Sequence, residues 1–370
     1  MKKIVLSSLA ALTLGSVAAS ATTVKLYTDE TGAVFTKPAE GRTLLADHTP
    51  IYAKASKIKL SGDVYLGATY TDPEVGAKEA QFELRRAYLQ IKSYFTEDSK
   101  SYYRVTMDAH NDNGSQDVRL KYAYIYLNNI LPATGVEFGL AHRPWHDYEE
   151  HTAWNYRSIN KVFTEDSNEA HLSNSADFGV NFKTKTKFFS SEIGLFNGEG
   201  YHNDQAGHGM SLEWRETIHF LGVNGKDKQT TKTYFDISFF GQYNSEYKGG
   251  DDLVFGGFHT VYNQPSFLLA AQYIKSIDTK RTQHLISANA GEGYSVNTAI
   301  RFGAKKEYRI LARYDQWQPN AQEKQTTTIG GVAWEQSKNL EWVANVTQTT
   351  NDNDATAEKT SLMLTAEVKF

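Results

Sequence analysis

The chain has 370 residues, a formal net charge of −4 and no cysteine. Its mean hydropathy of −0.52 excludes a bundle of membrane-spanning helices, because such a bundle needs repeated apolar runs of about 20 residues. The lack of cysteine excludes disulfide scaffolds, thiolate metal sites and cysteine nucleophiles, and the acidic balance argues against nucleic acid as a partner.

The first 21 residues have the pattern of a secretory signal peptide. Lys2 and Lys3 form a basic start, residues 4–19 are apolar or small, and Ala19-Ser20-Ala21 is a small-residue cleavage signature. We therefore predict a signal peptide at residues 1–21, cleaved after Ala21. Residues 22–57 show no sustained hydrophobic period, and we expect an N-terminal periplasmic segment there.

From Ile58 to Phe370 short segments alternate apolar and polar residues, which predicts strands whose two faces meet different environments. Residues 80–95 switch the parity of this pattern near Arg85 and Arg86, and residues 116–128 carry apolar side chains on both faces. Sixteen segments begin near Ile58, Glu79, Lys100, Gln116, Gly135, Ala176, Lys187, Gly209, Lys232, Asp252, Ser266, Tyr294, Lys306, Thr326, Asn339 and Lys359.

The connections between these segments tend to alternate between tight turns and longer loops. We expect 222–231 to be a long exception among the turns, and Asn111–Ser115 to belong to the longer loops. The 22 Tyr and 19 Phe residues cluster at segment ends, where outer-membrane barrels carry aromatic girdles. The pattern predicts an all-β fold at residues 58–370: a transmembrane antiparallel up-and-down β-barrel of about 16 strands in the outer membrane, with short periplasmic turns and long extracellular loops.

Two stretches resemble the phosphate-selective porin (O and P) family. Residues 82–92 combine Phe82, the double arginine Arg85-Arg86 and a strand, and residues 139–145 lead into Glu149 and Glu150. The sequence is also similar in style to porin-like proteins of campylobacter-type bacteria. The resemblance implies a 16-stranded trimeric pore whose third extracellular loop folds inward. It does not establish phosphate selectivity, because the sequence has no evenly spaced arginine ladder.

A lumen lined by charged residues cannot be a packed core, because unpaired buried charge is too costly, and sixteen strands leave room for water. We therefore predict a porin for passive diffusion of small hydrophilic solutes and ions. An anion- or phosphate-selective porin, an outer-membrane barrel enzyme and an exported soluble β binding protein remain alternatives. No hydrolase, nucleotide-binding or zinc-protease motif occurs, so we expect neither catalysis nor a cofactor. His146 and His151 lack the i, i+4 spacing of a helical metal site, and no metal is predicted.

The predicted loop Arg143–Asn174 carries too much apolar surface for a solvated tip. It contains Trp145, Tyr148, Trp154, Tyr156, Ile159, Val162 and Phe163. We expect it to fold into the barrel mouth, with a latch onto a neighbouring subunit as the alternative. The predicted constriction residues are Arg143, His146, Asp147, Glu149, Glu150, Arg157 and Lys161. The predicted pore-lining residues are Lys92, Arg104, Asp108, Arg215, Arg301, Arg309 and Arg313.

The charges assigned to the lumen are nearly balanced, which predicts weak ion selectivity. The loop has three basic residues against six acidic ones, and this favours cations slightly. The terminal Phe370 resembles the signal that outer-membrane barrels present to their assembly machinery. The expected partners are outer-membrane lipid, lipopolysaccharide, that machinery and two further copies in a homotrimer, but no nucleic acid.

Overall fold

The computed structural model describes most of the chain in two compact units, residues 1–55 and 56–370. The described residues are 27–29, 34–35, 38–44, 57–95, 98, 100–112, 115–202, 207, 209–223, 229–246, 252–277, 290–320, 323–352 and 357–370. The predicted signal peptide at residues 1–21 lies outside them, as does much of the predicted segment 22–57.

The described part of the first unit is a small antiparallel sheet. Its strands are β1 (Tyr27–Thr28), β2 (Val34–Phe35) and β3 (Thr43–Leu44), and β1 lies in the middle. Strands of two residues are too short to show an alternating pattern, so no pattern in the sequence predicts them.

The second unit is a closed barrel of sixteen antiparallel strands. The fold class predicted from the sequence is therefore confirmed, and each strand begins within three residues of its predicted start. The strands are β4 Ile58–Pro73, β5 Glu79–Tyr94, β6 Tyr102–Asp112, β7 Ser115–Leu131, β8 Thr134–His142, β9 Ala176–Lys185, β10 Phe189–Phe196, β11 Ser211–His219, β12 Tyr234–Asn244, β13 Leu253–Gln264, β14 Phe267–Ile277, β15 Gly291–Phe302, β16 Tyr308–Pro319, β17 Gln325–Ser337, β18 Leu340–Asn351 and β19 Lys359–Lys369.

Each barrel strand pairs with the next along the chain, and β19 pairs with β4 to close the sheet. Closure gives each barrel strand a neighbour on both sides, so the barrel has no edge strand. One short helix, α1 (His146–Thr152), lies in the long connection after β8.

Among the described residues, no helix is long and apolar enough to cross a membrane.

The barrel turns its apolar side chains outward and its polar side chains inward. On β19, Leu362 and Leu364 are about half exposed, whereas Thr365 and Glu367 are buried. Aromatic side chains are exposed on the outside near both ends of the strands, among them Tyr273, Tyr294, Phe302, Tyr308 and Trp334. This order is the reverse of that in a water-soluble protein, and it suits a barrel surrounded by lipid.

Two β-bulges explain the two ambiguous segments of the sequence. Tyr65 pairs with Arg86 and the next residue, Leu66, pairs with Leu84, so Arg85 is the extra residue in β5. In β7 the extra residue is Lys121. A bulge shifts the alternation by one residue, which confirms the predicted parity switch near Arg85 and Arg86 and accounts for the apolar residues on both faces of 116–128.

The connections are unequal at the two ends of the barrel. At the end that we call the loop end, residues 143–175 join β8 to β9, and residues 197–210 join β10 to β11. At the opposite turn end, most connections are short, but residues 220–233 between β11 and β12 are long. The prediction of a longer loop at Asn111–Ser115 was wrong, because β6 and β7 continue up to Asp112 and Ser115.

The seam between β19 and β4 generates a stability prediction. Gly62 and Phe370 exchange two backbone hydrogen bonds of 3.0 and 3.1 Å, and a Cβ on Gly62 would overlap the Phe370 ring and the Tyr88 carbonyl oxygen. Gly62→Ala should therefore reduce the fraction of heat-modifiable, folded barrel. The matched control is Gly330→Ala, because a Cβ there meets no atom within 4 Å. Equal folded fractions for the two variants would contradict this account of the seam.

Candidate functional site

The connection 143–175, the third loop-end connection of the barrel, packs against apolar side chains of the inner wall; we call it the third loop. Trp145, Tyr148 and Phe163 of this loop are buried in one cluster with Phe240 of β12 and Ile274 of β14. The rings of Trp145 and Phe240 stack with centroids 3.7 Å apart. This contact fixes the loop against the β12–β14 side of the barrel.

The middle of the third loop packs against the β16–β19 side. Trp154, Tyr156, Ile159 and Val162 form a second buried cluster with Leu311, Ile329, Ala333, Val343 and Met363. All seven apolar loop residues singled out in the sequence are therefore buried. Their burial is consistent with the hydrophobic effect, which stabilises by roughly 1.5–3 kcal/mol for each large apolar side chain removed from water.

Three wall arginines donate hydrogen bonds to backbone carbonyls of the loop. Arg215 Nε lies 3.1 Å from the Pro144 oxygen, Arg313 Nη1 lies 2.7 Å from the Lys161 oxygen, and Arg85 Nε lies 2.5 Å from the Ser158 oxygen. A loop with few regular backbone partners satisfies its carbonyl groups in this way. The bulge at Arg85 matters here, because it turns this side chain inward beside Arg86.

Three of the seven predicted constriction residues do not face open space. Arg143 is bound to Glu213 and Gln242, Glu149 accepts a hydrogen bond from Gln272, and His146 lies 3.2 Å from the Thr164 hydroxyl. All three are at most 2% exposed. The prediction that these three residues line the constriction is therefore corrected. Their polar groups anchor the loop to the wall or to itself, because polar groups on the wall side of a buried loop need hydrogen-bond partners.

The other four predicted constriction residues, Asp147, Glu150, Arg157 and Lys161, line cavities in the lumen. A cavity of about 450 Å³ lies on the turn-end side of the loop and includes Asp147, Glu150 and Arg157. A cavity of about 250 Å³ lies on the loop-end side and includes Arg157 and Lys161. Arg157 lines both cavities, so it stands where the two sides of the loop meet.

Arg157 reaches from the loop to the wall. Its Nε donates to the Tyr88 hydroxyl at 3.1 Å, and its guanidinium group also binds Glu150 and Glu165. Burial alone would raise the pKa of the Glu165 carboxyl, but Arg157 holds that pKa well below its usual range. Lys161 Nζ also lies 3.8 Å from the Glu165 carboxylate. Arg157 and Lys161 together therefore offset the negative charge of Glu150 and Glu165.

Three cations on the β5–β7 wall rest on tyrosine rings. Lys92 Nζ lies 4.7 Å from the centre of the Tyr102 ring, Arg104 Cζ lies 4.4 Å from that of Tyr122, and Lys121 Nζ lies 4.7 Å from that of Tyr88. Within the described residues, none of the three forms an ion pair with a carboxylate. A ring face attracts a cation without neutralising it, so we call Lys92, Arg104 and Lys121 the unpaired cations.

The remaining predicted pore-lining residues divide by role. Arg301 and Arg309 line a cavity of about 320 Å³ at the turn end, and Arg309 is paired with Glu335 and Glu341. Arg215 and Arg313 are buried under the loop, and Asp108 is buried beneath Arg86. Arg215 nevertheless lines a cavity of about 340 Å³ in the lumen. The prediction that Arg313 and Asp108 line the pore was wrong, because the loop or a neighbouring arginine covers them.

Sequence reasoning missed Lys121, Tyr88 and Glu165 as site residues. The signal for Lys121 was present as the apolar residues on both faces of 116–128, since a shift of alternation marks a bulge that re-aims a side chain. No local signal identifies Tyr88 or Glu165, because their importance depends on where Arg157 comes to lie.

The barrel is similar to solved porin structures. An anion-selective porin from Comamonas acidovorans matches with a TM-score of 0.62 and 12% identity over 85% of this chain and 100% of that one. OmpF of Salmonella typhi, in complex with daunomycin, matches with a TM-score of 0.61 and 13% identity over 86% and 99%. OmpT, an outer membrane protein of Vibrio cholerae in a trimer form, matches with 0.59 and 12% over 85% and 100%. These proteins share the fold of this chain.

No protein-family model and no curated protein matches the sequence.

The buried anchor Glu149 generates a pH prediction. Burial raises the pKa of Glu149 from 4.5 to about 7, so the seated loop holds a proton that the free loop would lose above its ordinary pKa. Seating should weaken as the pH rises between 4.5 and about 7. Open-channel current noise should therefore be greater at about pH 8 than at about pH 5, since a loosely held loop fluctuates more.

Glu149→Gln cannot ionise and should remove this pH dependence. The matched control is Glu150→Gln, which makes the same change one residue along, where the side chain faces a cavity. A Glu149→Gln channel whose noise still rises with pH would show that this carboxyl does not control the seating of the loop.

Proposed function

We propose that this protein is an outer-membrane porin of a Gram-negative bacterium, which forms a water-filled channel for passive diffusion of small hydrophilic solutes and ions. The observation that carries the proposal is the reversed barrel: apolar and aromatic side chains cover the outside, and charged side chains cover the inside. The outer surface suits lipid, and the charged lumen suits water. Export by the predicted signal peptide and the porin-type fold support the same conclusion.

In this proposal the third loop is the constriction. It covers the β12–β14 and β16–β19 sides of the lumen with buried apolar contacts, and the path for solutes follows the β4–β9 side past Arg157. Asp147, Glu150, Arg157 and Lys161 line that path from the loop, and Lys92, Arg104 and Lys121 line it from the wall. Short turns then face the periplasm and long loops the cell exterior.

A second candidate, a preference for anions, is favoured by the unpaired cations. The acidic loop residues that suggested a slight cation preference are engaged elsewhere: Glu150 and Glu165 bind Arg157, and Glu169 binds Arg313. Within the described residues, the charged side chains of the cavity of about 450 Å³ that form no ion pair are the three unpaired cations and one carboxylate, Asp63. The excess is positive, and charged side chains at the narrowest part of a pore set its selectivity. The similar fold of an anion-selective porin and the resemblance to the phosphate-selective family agree with this reading.

The proposed assembly is a homotrimer in contact with lipid and lipopolysaccharide. The trimer form named for the Vibrio cholerae protein with the same fold supports it. Phe370 stays our candidate for the signal to the barrel assembly machinery. Its side chain is exposed on the outside of the seam, where that machinery would find it.

The experiment that tests the channel is a planar-bilayer recording of the purified, detergent-folded protein. Insertion should give discrete current steps with a linear current–voltage relation, because a permanently hydrated lumen needs no gating. In a salt gradient the reversal potential should have the sign of anion preference. A folded barrel that gives no current steps would overturn the porin proposal, and a reversal potential of the cation sign would overturn the second candidate alone.

Charge variants locate the source of selectivity. Replacing the unpaired cations in the triple variant Lys92→Gln, Arg104→Gln, Lys121→Gln should move the reversal potential towards cation preference, since it removes positive charge from the path. Lys275→Gln is the matched control, because Lys275 is exposed on the outer surface. A shift of similar size in the control would contradict the assignment.

A further inference from the structure

Described residues from both ends of the long turn-end connection between β11 and β12 lie inside the barrel. Its described residues are 220–223 and 229–233. Gln229 is buried, and Val223 packs against a cluster of inward-facing apolar residues that includes Tyr234 and Val261. Most other turn-end connections join neighbouring strands by a few residues, whereas this one spans residues 220–233.

Two wall residues hold this connection inside. Arg301 of β15 donates to the Gln229 side-chain oxygen at 2.8 Å. Asn263 of β13 donates to the backbone oxygens of Gln229 and Lys232 at 2.9 and 2.7 Å, and also accepts a hydrogen bond of 2.9 Å from Arg301. Both wall side chains are buried. These bonds fix the backbone at 229–232. Arg301 therefore positions this connection in addition to placing a positive charge in the lumen.

The connection meets the third loop from the opposite direction. Ala153 of the loop belongs to the same apolar cluster as Val223 and Tyr234, and the Tyr234 hydroxyl donates to the Thr152 oxygen at 2.7 Å. Gln229 and Thr230 line the 320 Å³ cavity together with the loop residues 150–151 and 154–157. The lumen is therefore bounded at this level by two segments of the chain, one from each end of the barrel.

We propose that residues 229–232 of this turn-end connection form a second narrowing of the channel, placed on the turn-end side of the third loop and held there by Arg301 and Asn263 as positioning residues. Solutes leaving the loop constriction would pass Thr230 before they reach the turn-end mouth. The inference rests on the proposed channel function, and its substrates are the same small hydrophilic solutes and ions.

Cysteine modification of open channels tests the proposal, because the natural chain has no cysteine. Thr230→Cys should lose conductance in a discrete step when a charged methanethiosulfonate reagent is added, since the adduct occupies the path. Asn155→Cys, which lines the same cavity from the loop, should respond likewise. The matched control is Thr231→Cys, one residue along on an exposed position outside the cavity lining, and its conductance should not change.

A second variant examines the anchor. Arg301→Gln should release the connection, so that modification of Thr230→Cys in this background causes a smaller loss of conductance than in the natural one. Channels that conduct normally while Thr230→Cys is modified without any loss of current would overturn the second narrowing and leave the porin proposal intact. If no variant conducts at all, the porin proposal itself fails.

Discussion

The apolar contact between the third loop and one side of the inner wall is the interaction on which the site depends. A lumen built only for water would be polar on every strand, yet β12–β14 and β16–β19 carry inward-facing residues such as Phe240, Ile274, Leu311 and Val343. These residues would be exposed to water without the loop. Covering them stabilises the loop and at the same time leaves the β4–β9 side open, so the position of the path follows from hydrophobic burial.

Charge then follows from that placement. A loop buried against the wall must pair its polar groups, and Arg143, Glu169 and Arg157 do so with Glu213, Arg313 and loop carboxylates. The uncovered wall has tyrosine rings instead of carboxylates beside Lys92, Arg104 and Lys121. A count of formal charges along the sequence treats the paired loop charges and the unpaired cations alike. A solute on the path, however, meets mainly the unpaired cations.

The strands could be predicted from sequence because each one records its two environments in alternating residues. Even the bulge at Arg85 left a mark, since it shifts the alternation. The burial of Trp154 and Phe163 followed from their apolar character. The burial of Arg143 and Glu149 did not, because a charged residue looks the same in a sequence whether its side chain faces water or a buried polar partner. Helix α1 and the partners of Arg301 depend on contacts between distant segments, which a single sequence does not encode locally.

The most direct test of the account is the single-channel conductance of a barrel that lacks residues 153–168 of the third loop. These residues include the cluster formed with the β16–β19 side and also Arg157. If the loop narrows the lumen, the shortened protein should stay heat-modifiable and conduct more current per channel than the natural one. An unchanged conductance, with loss of the oligomer instead, would show that the loop serves subunit contact and would contradict the account.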